Sequence, residues 1–301
     1  MRVLAHLGSD NGREDCAWMR EEARGYRVGH RRDFPVDEAF AVAEAHRRAL
    51  QSSDTSDCEI RQRSERTVVT ICPCNAVPRF GEAEPSSPAV AKPGRVCVKS
   101  FWSLPWGERL KDLLRPVSRP RDAWKTLREF QRLGIPSARP LAVLERQKRL
   151  SARPDFLIME NLQDTRNLFE FVKGMDTRHR FQQVRRSLAS LLRLLCEKKV
   201  YHPDLKPENF LVRIDNGEVR LWIIDVARVR FNSKPNQNRW VRYLAQLNSG
   251  LPDEVSRLDR MRFLRECGRE QWSDAERLEI ARAALEKSLQ RDIKWTYEGD
   301  E

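Results

Sequence analysis

The chain has 301 residues, 40% of them hydrophobic and 33% charged, and its 56 Lys and Arg against 44 Asp and Glu leave a net charge of +12. That length supports one large two-lobed domain or two smaller ones, and the composition is that of a folded globular protein rather than a disordered tail. No apolar run approaches the ~20 residues that cross a bilayer, the opening MRVLAHLGSDNGRED has no signal-peptide core, and the basic surplus suits nucleic acid, phosphates or an anionic membrane surface without choosing between them.

Residues 1–60 show one recognisable element, a helix over Asp37–Leu50 that runs into the turn-rich QSSDTSD. They are expected to form an N-terminal extension. Thr67–Cys72 (TVVTIC) is a β-branched run and a predicted strand. The Pro-, Ser- and Ala-rich segment 73–94 reads as a surface loop, and Arg95–Phe101 (RVCVKSF) as a second strand carrying Lys99. Residues 101–155 are basic, with thirteen Lys and Arg against six Asp and Glu. A helix is predicted from about Pro120, with Ala123, Leu127 and Phe130 on one face and Gly134-Ile135-Pro136 as its stop. Leu141–Leu144 and Phe156–Glu160 are further strands.

Phe181–Cys196 is an amphipathic helix, with Val184, Leu188, Leu191, Leu192 and Leu195 in helical register. After the loop YHPDLKPEN, Phe210–Val212 and Leu221–Ile224 predict a hairpin turning at Asp215-Asn216-Gly217. The remainder is helical, and Ser273 with Glu276 forms a capping-box pattern before an apolar stripe of Leu278, Ala281, Leu285 and Leu289. Strands and one helix first, then a mostly helical half, make an α+β layout of two lobes. The β-rich N-lobe is expected over 61–160 and the larger helical C-lobe over 161–301. The seven cysteines are scattered and odd in number, which argues for reduced thiols, a cytoplasmic location and no disulfide framework. Cys72-Pro73-Cys74 reads as a strand end rather than half of a zinc site.

The strongest chemical signal is His202-Pro203-Asp204-Leu205-Lys206-Pro207-Glu208-Asn209. Asp225 follows an apolar strand downstream, and Lys99 lies on a strand of alternating valines upstream. Phosphoryl transfer needs such a set: a carboxylate to orient the acceptor hydroxyl, a carboxylate and an amide for Mg²⁺, and cations for the triphosphate. A hairpin brings Asn209 and Asp225 together because they flank its two strands.

HPDLKPENFLV and WIIDVA resemble the catalytic loop and metal-binding strand of the protein-kinase-like superfamily. VCVKSFW, GERLKDLLRPVSRPRDAW, LREFQRLGIPSARPLAVLE and RYLAQLNSGLPDEVSRLDRMRFLRE resemble, more narrowly, the lipopolysaccharide core kinase family of the Kdo/WaaP type, over about residues 65–268. The resemblance implies a protein-kinase-like fold, ATP and Mg²⁺ as cofactors, and a lipopolysaccharide core glycolipid rather than nucleic acid as partner. By the same resemblance Lys99 contacts the α/β-phosphates, Asp204 is the catalytic base, Lys206 sits near the γ-phosphate, Asn209 and Asp225 hold Mg²⁺, and Glu160 to Leu162 form the adenine-binding hinge. Asp122 and Glu129 share a side of one helix, and either is a candidate partner of Lys99.

The chain departs from protein kinases in three ways. Segment 73–94 has only Gly81 and Gly94, the Asp-Phe-Gly triplet is Asp225-Val226-Ala227, and little chain separates Asp225 from a helix near Trp240. The short segment leaves no platform for a protein substrate and favours a glycan acceptor, heptose or Kdo. The basic stretch 101–155 then faces anionic glycolipid or the cytoplasmic leaflet of the inner membrane. The alternatives are a kinase for protein or a small molecule, which Asp-Leu-Lys-Pro-Glu-Asn keeps open, and a pseudokinase acting as a binding module.

Overall fold

The computed structural model describes residues 18–51, 57–64, 66–75, 94–102, 117–147, 153–174, 178–252, 254–269 and 271–290. Residues 76–93 of the expected loop, and 103–116 and 148–152 of the basic stretch, fall outside them, while Pro73, Cys74 and Gly94 belong to strands. The chain divides into two compact units, Met1–Glu129 with Ala138–Leu162, and Phe130–Ser137 with Gln163–Glu301.

The first unit is built on a seven-stranded antiparallel sheet. Its strands are β1 (Trp18–Ala23), β2 (Tyr26–Arg31), β3 (Glu59–Arg63), β4 (Thr67–Cys74), β5 (Gly94–Phe101), β6 (Pro140–Arg146) and β7 (Asp155–Glu160), in the order β1-β2-β6-β7-β5-β4-β3. Helix α1 (Val36–Gln51) covers one face. Beneath it the sheet contributes Val28, Val96, Val98, Leu144, Phe156 and Ile158, all buried, against Phe40, Val42 and Ala43. Full burial of each such side chain stabilises by roughly 1.5–3 kcal/mol. The alternation along β5 sends Val96, Val98 and Ser100 into this core and places Lys99 on the other side of the strand.

The described residues 18–51 are therefore part of the lobe: β1, β2 and α1 complete the sheet and its core. The two strands escape a sequence reading because β1 is an edge strand, WMREEA, with little apolar alternation. Their turn uses Arg24 and Gly25, both at positive φ (52° and 81°), where Asn-Gly would have announced it. Helix α2 (Arg119–Leu133) packs Trp124 against β2, where a Cβ on Gly29 would lie 3.3 Å from the indole. The helix stops as expected at Gly134, φ +70°.

The expectation of reduced thiols is corrected at one pair. Cys58 and Cys72 form a disulfide. Glu59 pairs with Ile71 in the β3–β4 ladder, so the preceding and following residues face each other across the strands, a proximity that depends on register. Among the described residues Cys74, Cys97, Cys196 and Cys267 are free thiols.

His46 of α1 is fully buried, with Nδ1 2.7 Å from Thr70 Oγ1. Burial holds its imidazole down at about 4, against 6.5 in the unfolded chain. The unfolded state thus takes up the proton first. Stability is complete above about pH 6.5 and declines as the pH falls towards 4, by on the order of 3 kcal/mol in all. The thermal midpoint should fall from pH 7 to 4.5, and His46→Gln should make that decline shallower, the remainder coming from His202, which burial also holds down at about 4; an equally steep profile in the variant would contradict this origin.

The second unit holds a three-stranded sheet, β8 (Arg166–Asn167), β9 (Phe210–Asp215) and β10 (Glu218–Ile223), in the order β10-β9-β8. Its helices are α3 (Leu168–Lys173), α4 (Arg178–Glu197), α5 (Gln237–Gly250), α6 (Arg257–Cys267) and α7 (Asp274–Leu289). The β9–β10 hairpin turns through Asn216 and Gly217, both at positive φ, as the Asn-Gly pair predicts. Ser273 and Glu276 form a complete capping box on α7.

The buried face of α7 is not the predicted leucine stripe. Ile280, Ala284 and Ser288 are buried, while Leu278, Leu285 and Leu289 are 49%, 56% and 78% exposed. Small residues let α7 approach α5, and Asn248 Nδ2 donates to Ser288 Oγ at 2.9 Å. Leu278 and Leu285 instead line an apolar cavity of about 580 Å³, with Phe181, Leu188, Leu247 and Leu264.

Candidate active site

The second unit carries the loop predicted to do chemistry. Helix α4 ends at Glu197, and Lys199 (φ +54°) turns the chain. Tyr201 then makes a two-bond bridge with Arg230, Tyr201 N to Arg230 O at 2.8 Å and Arg230 N to Tyr201 O at 2.9 Å. Leu205 is fully buried, Lys206 is exposed, and Pro207–Asn209 form a single 3₁₀ turn that leads into β9.

Asp204 and Asn209 are brought together. The Asn209 Nδ2 donates to the Asp204 backbone carbonyl at 2.9 Å and to its Oδ2 at 3.0 Å. Both amide hydrogens point to Asp204, which leaves Asn209 Oδ1 as the atom a cation would take. The hairpin delivers the third member. Phe210 pairs with Ile223, and Ile224 N donates to Asn209 O at 2.9 Å, so Asp225 emerges beside the start of β9. Asp225 is exposed and sits at φ +55°, a left-handed conformation that Asp tolerates better than most residues.

His202 sits beneath both carboxylates. Burial pushes its imidazole down to about 4, although the Asp204 and Asp225 charges and an Asp225 backbone hydrogen bond oppose this. The ring is neutral at pH 7, and Nδ1 accepts from Asp204 N at 3.2 Å. His202 is therefore a support for the loop and not a base. Among the described residues no three His, Cys, Asp or Glu side chains cluster as a metal cage. The set here is two carboxylates and one amide oxygen, hard donors of the kind Mg²⁺ takes alongside water and phosphate.

In the first unit, Lys99 is half-buried on β5, with Nζ 5.8 Å from the Phe101 ring centroid. Asp122 is exposed in the first turn of α2, and Glu129 lies two turns on and is half-buried. One hinge assignment narrows. Glu160 N already donates to Arg139 O at 2.8 Å, and the Glu160 carboxylate takes Arg139 Nε at 2.9 Å and Nη2 at 3.2 Å. An adenine could use the Glu160 carbonyl but not its N–H or side chain. Leu162 closes this unit and is half-buried.

Sequence reasoning missed three residues that hold the loop: Arg239, Tyr243 and Gln246, on one face of α5. All are buried and hydrogen-bonded to the stretch 200–205. Their signal in the sequence is a polar side chain at i, i+4 and i+7 on an otherwise apolar helix face.

Residues 96–282 match the lipopolysaccharide kinase (Kdo/WaaP) family, more than half of the chain. The chain belongs to that family. Membership makes it a phosphotransferase of the kinase type. The chain is 27% identical over 180 residues to the lipopolysaccharide core heptose(I) kinase WaaP of Pseudomonas aeruginosa, covering 56% of this chain and 67% of that protein. It is also 27% identical over 178 residues to a 3-deoxy-D-manno-octulosonic acid kinase of Mannheimia succiniciproducens, covering 56% and 68%. A match to mitogen-activated protein kinase 10 of Oryza sativa, 26% identical, spans 46% of this chain and 23% of that protein. Among solved structures, WaaP in complex with acyl carrier protein aligns with a TM-score of 0.51 at 18% identity, covering 76% of this chain and 88% of that one. The likeness makes the fold protein-kinase-like. Among the described residues no helix is long and apolar enough to cross a membrane.

Proposed function

We propose that this chain transfers the γ-phosphoryl group of ATP to a sugar hydroxyl of the lipopolysaccharide inner core, heptose or Kdo. The observation that carries the reading is the Asn209 amide docked on Asp204, with Asp225 beside it, in a chain of the lipopolysaccharide kinase family. The acceptor oxygen bonds to the γ-phosphorus as the bond to the β,γ-bridging oxygen breaks. Asp204 orients the hydroxyl and receives its proton. Lys206 offsets charge at the γ-phosphate, and Lys99 offsets charge at the α/β-phosphates. Asn209 and Asp225 would hold Mg²⁺, which supplies charge neutralisation on the phosphate oxygens. Either Asp122 or Glu129 pairs with Lys99, and the half-burial of Glu129, which shields a charge pair from water, favours Glu129 over the exposed Asp122. The Glu160 carbonyl and the Leu162 backbone serve adenine.

The stretch after Asp225 supports a glycan rather than a protein acceptor. Residues 226–236 run directly into α5 and are pinned by the Tyr201–Arg230 bridge, by Ser233 N donating to Lys199 O at 2.8 Å, and by Arg239. A peripheral position at the cytoplasmic face of the inner membrane follows from such an acceptor, and the +12 charge favours it. Incubation of the purified chain with radiolabelled ATP and Mg²⁺ tests the reading, using lipopolysaccharide truncated after Kdo, lipopolysaccharide carrying heptose, and a generic protein substrate in parallel. Label in one of the two glycolipids is expected. Label in protein alone would establish the protein-kinase alternative, and no transfer with intact nucleotide binding would establish the pseudokinase.

A further inference from the structure

We propose that helix α5 is the splint that fixes the catalytic loop, and that Gln246 is its central positioning residue. The inference rests on the phosphotransferase reading for its catalytic consequence, though its geometry stands without it. Arg239, Tyr243, Gln246 and Gly250 are spaced i, i+4, i+7 and i+11 and so form one stripe along the helix. They meet the loop in chain order. Arg239 Nη1 donates to Val200 O at 3.4 Å. The Tyr243 hydroxyl accepts from His202 N at 3.1 Å and donates to Val200 O at 3.5 Å. Gln246 Oε1 accepts from Leu205 N at 2.8 Å, while its Nε2 donates to Pro203 O at 2.6 Å. At Gly250 an added Cβ would stand 2.5 Å from Pro207 Cδ, so the helix backbone lies directly on the proline ring.

Gln246 stands apart within the stripe because its two bonds bracket Asp204, one to the residue before it and one to the residue after. A carboxamide accepts on one side and donates on the other; a carboxylate would present oxygen to the Pro203 carbonyl, and an alkyl group would leave both loop groups unpaired. Gln246 is only 7% exposed, so water does not replace these bonds readily. Asp204 therefore takes its place from a backbone held at both neighbours, with His202 Nδ1 and Asn209 Nδ2 adding to the hold. Orientation of the acceptor hydroxyl depends on that place. A shift of about 1 Å in a catalytic group costs up to about a hundredfold in rate.

The test compares Gln246→Leu and Gln246→Glu with wild type in the full-length chain. Amide hydrogen exchange is read by mass spectrometry over segment 200–209, and kcat and KM for ATP are read in the labelled-phosphate assay. Gln246→Leu should raise exchange in the loop segment at least tenfold while leaving α4 protected. Its kcat should fall tenfold to about a hundredfold, with KM for ATP within twofold. Gln246→Glu, which keeps an acceptor for Leu205 but has no donor for Pro203 when ionised, should fall between. If Gln246→Leu does not fold, the isosteric Gln246→Glu carries the same comparison. Loop exchange unchanged in a folded variant, or kcat within twofold of wild type while Asp204→Ala is inactive, would overturn the inference. Loosened exchange in a chain whose wild type transfers no phosphate would keep the splint and reject the phosphotransferase reading, so the two failures are distinct.

Discussion

Asp204→Ala should lower phosphoryl transfer by on the order of 10³-fold while leaving the chain folded. The carboxylate is the group placed to orient the acceptor hydroxyl, and its loss is not compensated by His202, which is neutral and buried. Folding should survive because Asp204 is only half-buried and Asn209 keeps its bond to the Asp204 backbone carbonyl. Asp225→Ala should be comparably inactive. Its backbone sits at φ +55°, where Ala is less at ease than Asp, so Asp225→Asn is the cleaner companion: it tolerates that conformation and removes the charge. Activity in the labelled-ATP assay, with circular dichroism to verify folding, decides the matter. Both carboxylates would be misassigned if the folded variants kept wild-type rates.

The second large effect is on stability. Arg239 is 4% exposed, and its Nη2 donates to Ser233 O at 2.7 Å, to Ser233 Oγ at 2.6 Å and to Lys234 O at 2.8 Å. Its guanidinium also lies 5.4 Å from the Tyr201 ring centroid. One side chain thus ties together the end of α4, the stretch after Asp225 and the start of α5. Arg239→Ala leaves several backbone carbonyls without a donor in a buried place. A loss of about 3–4 kcal/mol is expected, at the upper end of single-residue effects. Arg239→Lys should lose less, since it retains the charge but not the planar fork of donors. Urea unfolding measures both. A loss below about 1 kcal/mol for Arg239→Ala would mean that water or a neighbouring side chain satisfies those carbonyls.

Much of the second unit was legible from local pattern because its elements are defined by local chemistry. The β9–β10 hairpin turns where Asn216-Gly217 permits positive φ at both positions, and its two ends then have to meet. Asn209 and Asp225 come together for that reason, and the sequence spacing contained it. The α4 stripe and the Ser273–Glu276 capping box are likewise short-range. The leucines of α7 show where such reasoning fails. A 3.6-residue period identifies an apolar stripe but not the neighbour that covers it. Here the smaller face, Ile280, Ala284 and Ser288, won the contact with α5 because it allows closer approach.

The sequence by itself determined the inventory: a strand lysine, a loop holding Asp204 and Asn209, a following Asp225, and the periodicities of most helices and strands. Tertiary structure decided the register that joins Cys58 to Cys72, the recruitment of β1, β2 and α1 into one sheet, and the engagement of the Glu160 N–H by Arg139. It also decided the clasp of Gln246 on the residues either side of Asp204. Each of these joins groups far apart in the chain, where no local preference of the backbone reports on the partner. Such contacts become visible only once the folded chain has brought the two surfaces together.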